Sequence, residues 1–102
     1  MNRTIAGLLS CVVMAALCGP ALADAANGEK LAKRWCAACH VVASDQKNGG
    51  TQAPPFSAIG AKPGLTAAAV ALYLLVPHPR MPDMNLSRAE AADLAAYIAS
   101  QK

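Results

Sequence analysis

The sequence predicts an all-α fold of three main short helices joined by loops. Three observations carry this. Apolar residues recur at helical spacing in three separate stretches, each stretch opens on a residue able to cap a helix, and proline and glycine interrupt the chain between them. No run of β-branched and aromatic residues after Cys39 reads as a strand.

Asn27 is the expected N-cap of a first helix from about Gly28 to Trp35, with Glu29 in the opening turn, where the helix dipole favours a carboxylate. Leu31, Ala32 and Trp35 fall on one face of it and Lys30, Lys33 and Arg34 on the other. Residues 43–50 have the composition of a surface loop, and Ala53-Pro54-Pro55-Phe56 must be extended, because each proline lacks a donor and disfavours helix in its predecessor. A short turn is expected at Ser57 to Gly60, then a break at Lys62-Pro63-Gly64. Thr66 caps a second helix through about Leu75, which Pro77 ends; its residues are apolar almost all round, which predicts that it is largely buried. Three prolines between Pro77 and Pro82 predict an extended, stiff loop. Ser87-Arg88-Ala89-Glu90 fits a capping box and starts a last helix running from near Arg88 to about Ser100, with Ala91, Leu94, Ala95 and Ile98 facing inward.

The N-terminus reads as a secretory signal peptide: Arg3, an uncharged apolar run from Ile5 to Gly19, Pro20, then Ala21-Leu22-Ala23. The run is short for a membrane span of about 20 residues. Cleavage after Ala23 would divide the chain into a leader, residues 1–23, and one domain, residues 24–102, with a periplasmic location and no stable membrane insertion. Cys11 and Cys18 leave with the leader, so Cys36 and Cys39 are the only thiols of the domain. A domain of about 80 residues buries a modest fraction of its surface and usually needs a disulfide, metal or cofactor. The formal net charge is +3, and one unit less without Arg3, which points to no nucleic acid or membrane partner.

Cys36-Ala37-Ala38-Cys39-His40 supplies the cofactor. Two thiols three positions apart, followed at once by an imidazole, form the pattern for covalent haem attachment: each thiol adds across one porphyrin vinyl group and the imidazole reaches the iron. A redox dithiol would want a βαβ setting, and zinc a second ligand pair, whereas His78 is the only other histidine. The opposite axial position has three candidates, Met81, Met84 and His78. A thioether there would raise the reduction potential relative to a second imidazole. Trp35 and Arg80 are candidate propionate donors or ordinary packing and surface residues. Lys30, Lys33, Arg34, Lys47 and Lys62 would make either a plain solvated surface or a basic ring around an exposed porphyrin edge.

Gly28 eight residues before Cys36, the pentapeptide, Pro54 to Phe56 as Pro-x-Phe, Met81-Pro82, and a capped last helix carrying Tyr97 together resemble the class I c-type cytochromes across the whole domain. The resemblance implies a small cytochrome c fold wrapped around one haem c attached through Cys36 and Cys39. It implies His40 and Met81 as axial ligands, a Pro54 carbonyl holding the imidazole N–H of His40, and Gly28 crossing Tyr97. It further implies one-electron transfer rather than catalysis, with redox protein partners: a dehydrogenase as donor and an oxidase, reductase or other cytochrome as acceptor. The protein would be a monomer or part of a heteromeric complex. A dedicated haem subunit of an oxidoreductase acting on sulfite or an alcohol is the alternative, and a ligand-binding or sensor haem protein, with Met81 off the iron, is a third reading.

Overall fold

Among the described residues of the computed structural model, 22–76 and 78–102, four helices form: α1 Ala25–Trp35, α2 Phe56–Gly60, α3 Ala67–Leu75 and α4 Arg88–Ser100. No residue between 22 and 102 outside position 77 lies in a strand, so the all-α expectation holds. The expected leader lies outside the described residues except for Leu22 and Ala23, and Pro77 lies outside them too. No described helix is long and apolar enough to cross a membrane.

The expected start of α1 is corrected. Asp24, not Asn27, is the N-cap: its extended backbone lets Oδ1 accept the Asn27 N–H at 3.0 Å, and the helix begins at Ala25. Asn27 instead donates its side-chain amide to Asp93 Oδ2 at 2.9 Å, while the Asp24 N–H donates to Asp93 Oδ1 at 2.7 Å. These two bonds, the backbone one first, hold the Asp93 carboxyl below its ordinary range. The buried residues of α1 are Gly28 and Ala32. Leu31 is half-buried, and Trp35, expected on the same inward face, is 43% exposed, with the Arg34 guanidinium 4.7 Å from its ring centroid.

Crossing of α1 and α4 is the most extensive helix contact. It depends on Gly28. A Cβ there would overlap the Asp93 carbonyl oxygen and lie 2.6 Å from its carbon and 2.8 Å from Tyr97 Cβ, so only a residue without a side chain lets the backbones approach this closely. The capping box at Ser87 and Glu90 starts α4 as expected: Ser87 Oγ accepts the Glu90 N–H at 3.1 Å, and Glu90 Oε1 accepts the Ser87 N–H at 2.9 Å. The four expected inward residues are all buried, and Tyr97 joins them. Ala32, Val42, Phe56, Val70, Leu94, Ala95, Tyr97 and Ile98 form the core.

Tyr97 ties the last helix to the middle of the chain, its hydroxyl donating to the Val42 carbonyl at 2.6 Å. Burial raises its pKa, so the fold disfavours the phenolate. Stability should therefore be unaffected by this group below about pH 10 and fall as pH rises past it, because the unfolded chain releases the proton first. Tyr97→Phe should cost about 1–3 kcal/mol at neutral pH by leaving the Val42 carbonyl without its donor. It should also flatten the alkaline loss, a pair of changes that denaturant unfolding at pH 7 and pH 11 would resolve.

Helix α3 starts on its expected cap, Thr66 Oγ1 accepting the Ala69 N–H at 3.1 Å. Its burial differs from expectation. Val70 is buried and Ala71 and Leu74 pack on the core, but Leu72 is 64% exposed, Tyr73 56% and Val76, just past the helix, 54%. The helix is apolar on two faces; one packs on the core, and the other stands largely exposed. The loop after it also differs, for the chain turns at Pro79 and Arg80 so that His78 and Met81 pair as an antiparallel bridge. Proline's fixed φ suits the second position of a tight turn, which here outweighs its preference for extended chain.

Candidate functional site

The thiols are placed by the way α1 ends. Cys36 is its C-cap, donating to the Ala32 carbonyl at 2.9 Å, and the chain then tightens into turns in which the Cys39 and His40 N–H groups both donate to the Cys36 carbonyl, at 3.1 and 2.9 Å. Both cysteines are free and half-buried. Burial pushes the Cys36 thiol up to about 11, so it is protonated at neutral pH. The Cys39 thiol donates to Gln52 Oε1 at 3.3 Å.

His40 Nδ1 lies 2.6 Å from the Pro54 carbonyl oxygen. A carbonyl only accepts, so this contact puts the proton on Nδ1 and leaves Nε2 with its lone pair, the form in which imidazole binds a metal. The ring rests against Phe56, centroids 5.3 Å apart, and Phe56 meets Tyr97 edge-on at 6.3 Å. One line of rings thus links the imidazole to α4. The extended Pro54-Pro55 segment is held beside the pentapeptide by Ala53 N–H to the Cys39 carbonyl and Phe56 N–H to the Val41 carbonyl, both 2.9 Å.

Gln46, read from sequence as one loop residue among several, braces this whole segment. Its Oε1 accepts the Val42 N–H at 2.8 Å, and its Nε2 lies 3.0 Å from the carbonyls of Ala37, His40 and Asn48. One amide side chain therefore satisfies the backbone on both sides of His40. The loop can lie this flat because Gly49 and Gly50 have φ of +73° and +83°; a Cβ at Gly49 would come 2.5 Å from the Ala37 carbonyl oxygen. No local signal distinguishes such a glutamine, since its partners are set by loop closure.

Met81, Met84 and His78 are all half-buried. Because His78 and Met81 are bridge partners, their side chains leave the turn on the same side. The His78 ring packs on Tyr73 at 4.7 Å, and its buried Nε2 has no hydrogen-bond partner among the described residues. Arg80 is exposed. Among the described residues no three His, Cys, Asp or Glu side chains gather as a metal cluster.

The fold and these donors agree with two comparisons. A family model described as cytochrome C oxidase, cbb3-type, subunit III, matches residues 23–98. A protein named cytochrome c-552, from Bradyrhizobium diazoefficiens, is 44% identical over 101 residues, covering 98% of this chain and 97% of its own. The chain is a c-type cytochrome. No solved structure matches it.

Membership carries covalently attached haem c and the role of a monohaem electron carrier. The residues of this cytochrome fit that group. Two thiols stand one turn apart, an imidazole beside them keeps Nε2 free of the proton, and α3 with the residue after it offers the exposed apolar side chains Leu72, Tyr73 and Val76. A large flat apolar ring is the kind of body such a face can cover.

Proposed function

We propose that this cytochrome shuttles single electrons in the periplasm, from a dehydrogenase to an oxidase, reductase or second cytochrome, after a signal peptide is removed behind Ala23. When bound, haem c supplies an iron couple that takes up one electron and gives it back. The protein supplies the rest. Cys36 and Cys39 would tether the ring through thioethers, His40 and Met81 would hold the iron, and the Pro54 carbonyl would keep the His40 ring in one tautomer and orientation. The same two donors in both oxidation states would keep rearrangement small, and a small docking area would keep partners brief.

The single observation that carries this reading is the 2.6 Å contact from His40 Nδ1 to the Pro54 carbonyl, in the same segment as two free thiols. An alkaline pyridine spectrum of exported protein tests it. Thioether-linked haem is expected in the wild type and a lower holoprotein yield in Cys36→Ala and Cys39→Ala; full yield and unchanged spectra in both variants would contradict the tether.

A dedicated haem subunit of a larger oxidoreductase is the second reading, and the family description favours it, since it is that of an oxidase subunit. Tagged protein recovered from its own cells distinguishes the two: a shuttle elutes alone, a subunit brings a catalytic chain in fixed ratio.

A further inference from the structure

We propose that Asp93 is the acceptor for the α-ammonium group that cleavage after Ala23 creates on Asp24, so that processing itself closes an ion pair between the first and last helices. The inference rests on the export reading above and adds to it a consequence of where the cut falls.

The atoms are already in position. While still in peptide linkage, the Asp24 nitrogen lies 2.7 Å from Asp93 Oδ1, across 69 residues of sequence. The acceptor is already a carboxylate, and hydrolysis of the Ala23–Asp24 bond would turn its neutral donor into a cation without moving it, adding the attraction of opposite charges to a bond already in place. The carboxylate is also aimed. Its second oxygen accepts the Asn27 side-chain amide at 2.9 Å, which fixes the rotamer on the α1 side of the crossing. Asp24's own carboxylate is engaged with the Asn27 backbone N–H at 3.0 Å.

Helix electrostatics give the arrangement its purpose. A free ammonium at the head of α1 would face the positive end of the helix dipole, an unfavourable meeting that nearby carboxylates offset. Asp24 and Asp93 both stand there, and Asp93 comes from the opposite end of the domain. The pairing is specific for register. Leu22 and Ala23 are exposed and non-helical ahead of the cap, so a start at Leu22 would carry the charge past Asp93 into solvent, while a start at Ala25 would delete the cap.

The test uses haem-loaded protein with defined N-termini, one beginning at Asp24 and one at Leu22, each with Asp93 or with Asp93→Asn. Asparagine keeps the shape and one acceptor oxygen but turns the other acceptor into a donor, a loss common to both N-termini that cancels in the comparison between them. At about pH 6, where an α-amino group is protonated, Asp93→Asn is expected to raise the unfolding equilibrium constant about threefold more in the protein starting at Asp24. The excess should shrink in 1 M salt. Equal effects in the two backgrounds would overturn the ion pair while leaving export intact. Mass spectrometry of protein exported by its own cells addresses the cut separately, and an N-terminus other than Asp24 would overturn the proposal through the reading it rests on.

Discussion

Met81→Leu should, on the ligation proposed above, remove the iron's soft sulfur donor and change the protein's spectrum and potential more than any other single substitution in the loop. Leucine is close to methionine in volume, so packing is nearly conserved and the variant should fold. What disappears is the sulfur. A neutral thioether favours ferrous over ferric iron, so its loss should move the reduction potential downward, on a scale where axial ligands span roughly 0.8 V. The ferric protein should lose its far-red sulfur-to-iron absorption, and the ferrous protein should bind carbon monoxide readily. Met84→Leu should leave all three properties in place. The turn supports the proposed choice between the two methionines: Met81 is bridged to His78 where the chain reverses, whereas Met84 lies beyond it. If the far-red band survives in Met81→Leu, the assignment of Met81 fails, and a low-spin spectrum that is lost only when His78→Ala is added would hand the position to the bridged imidazole.

Much of the fold was legible because its signals are local. The Thr66 cap, the Ser87 and Glu90 capping box and the inward stripe of α4 each depend on residues within a turn of one another, and all three appear as read. The start of α1 was misplaced for the opposite reason. Asp24 and Asn27 are both good caps, and the tie is broken by Asp93, which takes the Asn27 side chain from across the domain. Gln46 escaped notice on the same ground, since a glutamine in a polar loop gains meaning only when the loop folds back over the pentapeptide. Helix α3 is a subtler case. Sequence correctly showed it apolar all round, but hydrophobicity does not say whether the second face will meet protein or a porphyrin, and Leu72, Tyr73 and Val76 stand exposed. Only the pentapeptide, whose chemistry is written in consecutive residues, announced that a flat apolar cofactor is part of this domain.

Gly28→Ala should be the most damaging single methyl in the protein. Two effects oppose one another. Alanine in a helix interior is favoured over glycine by about 0.8–1.0 kcal/mol. Against this, the added Cβ meets the backbone of Asp93, with its carbonyl carbon at 2.6 Å, and Tyr97 Cβ at 2.8 Å. Neither neighbour is the far end of a flexible side chain, so relief requires α1 and α4 to separate. Their separation would loosen the packing of Ala32, Leu94, Ala95 and Tyr97 together. Overpacking of this kind typically costs about 1–3 kcal/mol; with backbone as the obstacle the cost lies at the top of that range, and after the gain from alanine the net loss should be about 2 kcal/mol. For a domain of this size that corresponds to a fall of roughly 8–16 °C in Tm, readable by thermal unfolding of the ferric protein. Because the Tyr97 hydroxyl and the Phe56 ring connect this crossing to His40, the heated variant should also lose its axial spectrum before its helicity, a sequence of events that circular dichroism and visible absorption on one sample would separate. An unchanged Tm would mean that the two helices do not approach as closely in the haem-loaded protein as Gly28 allows.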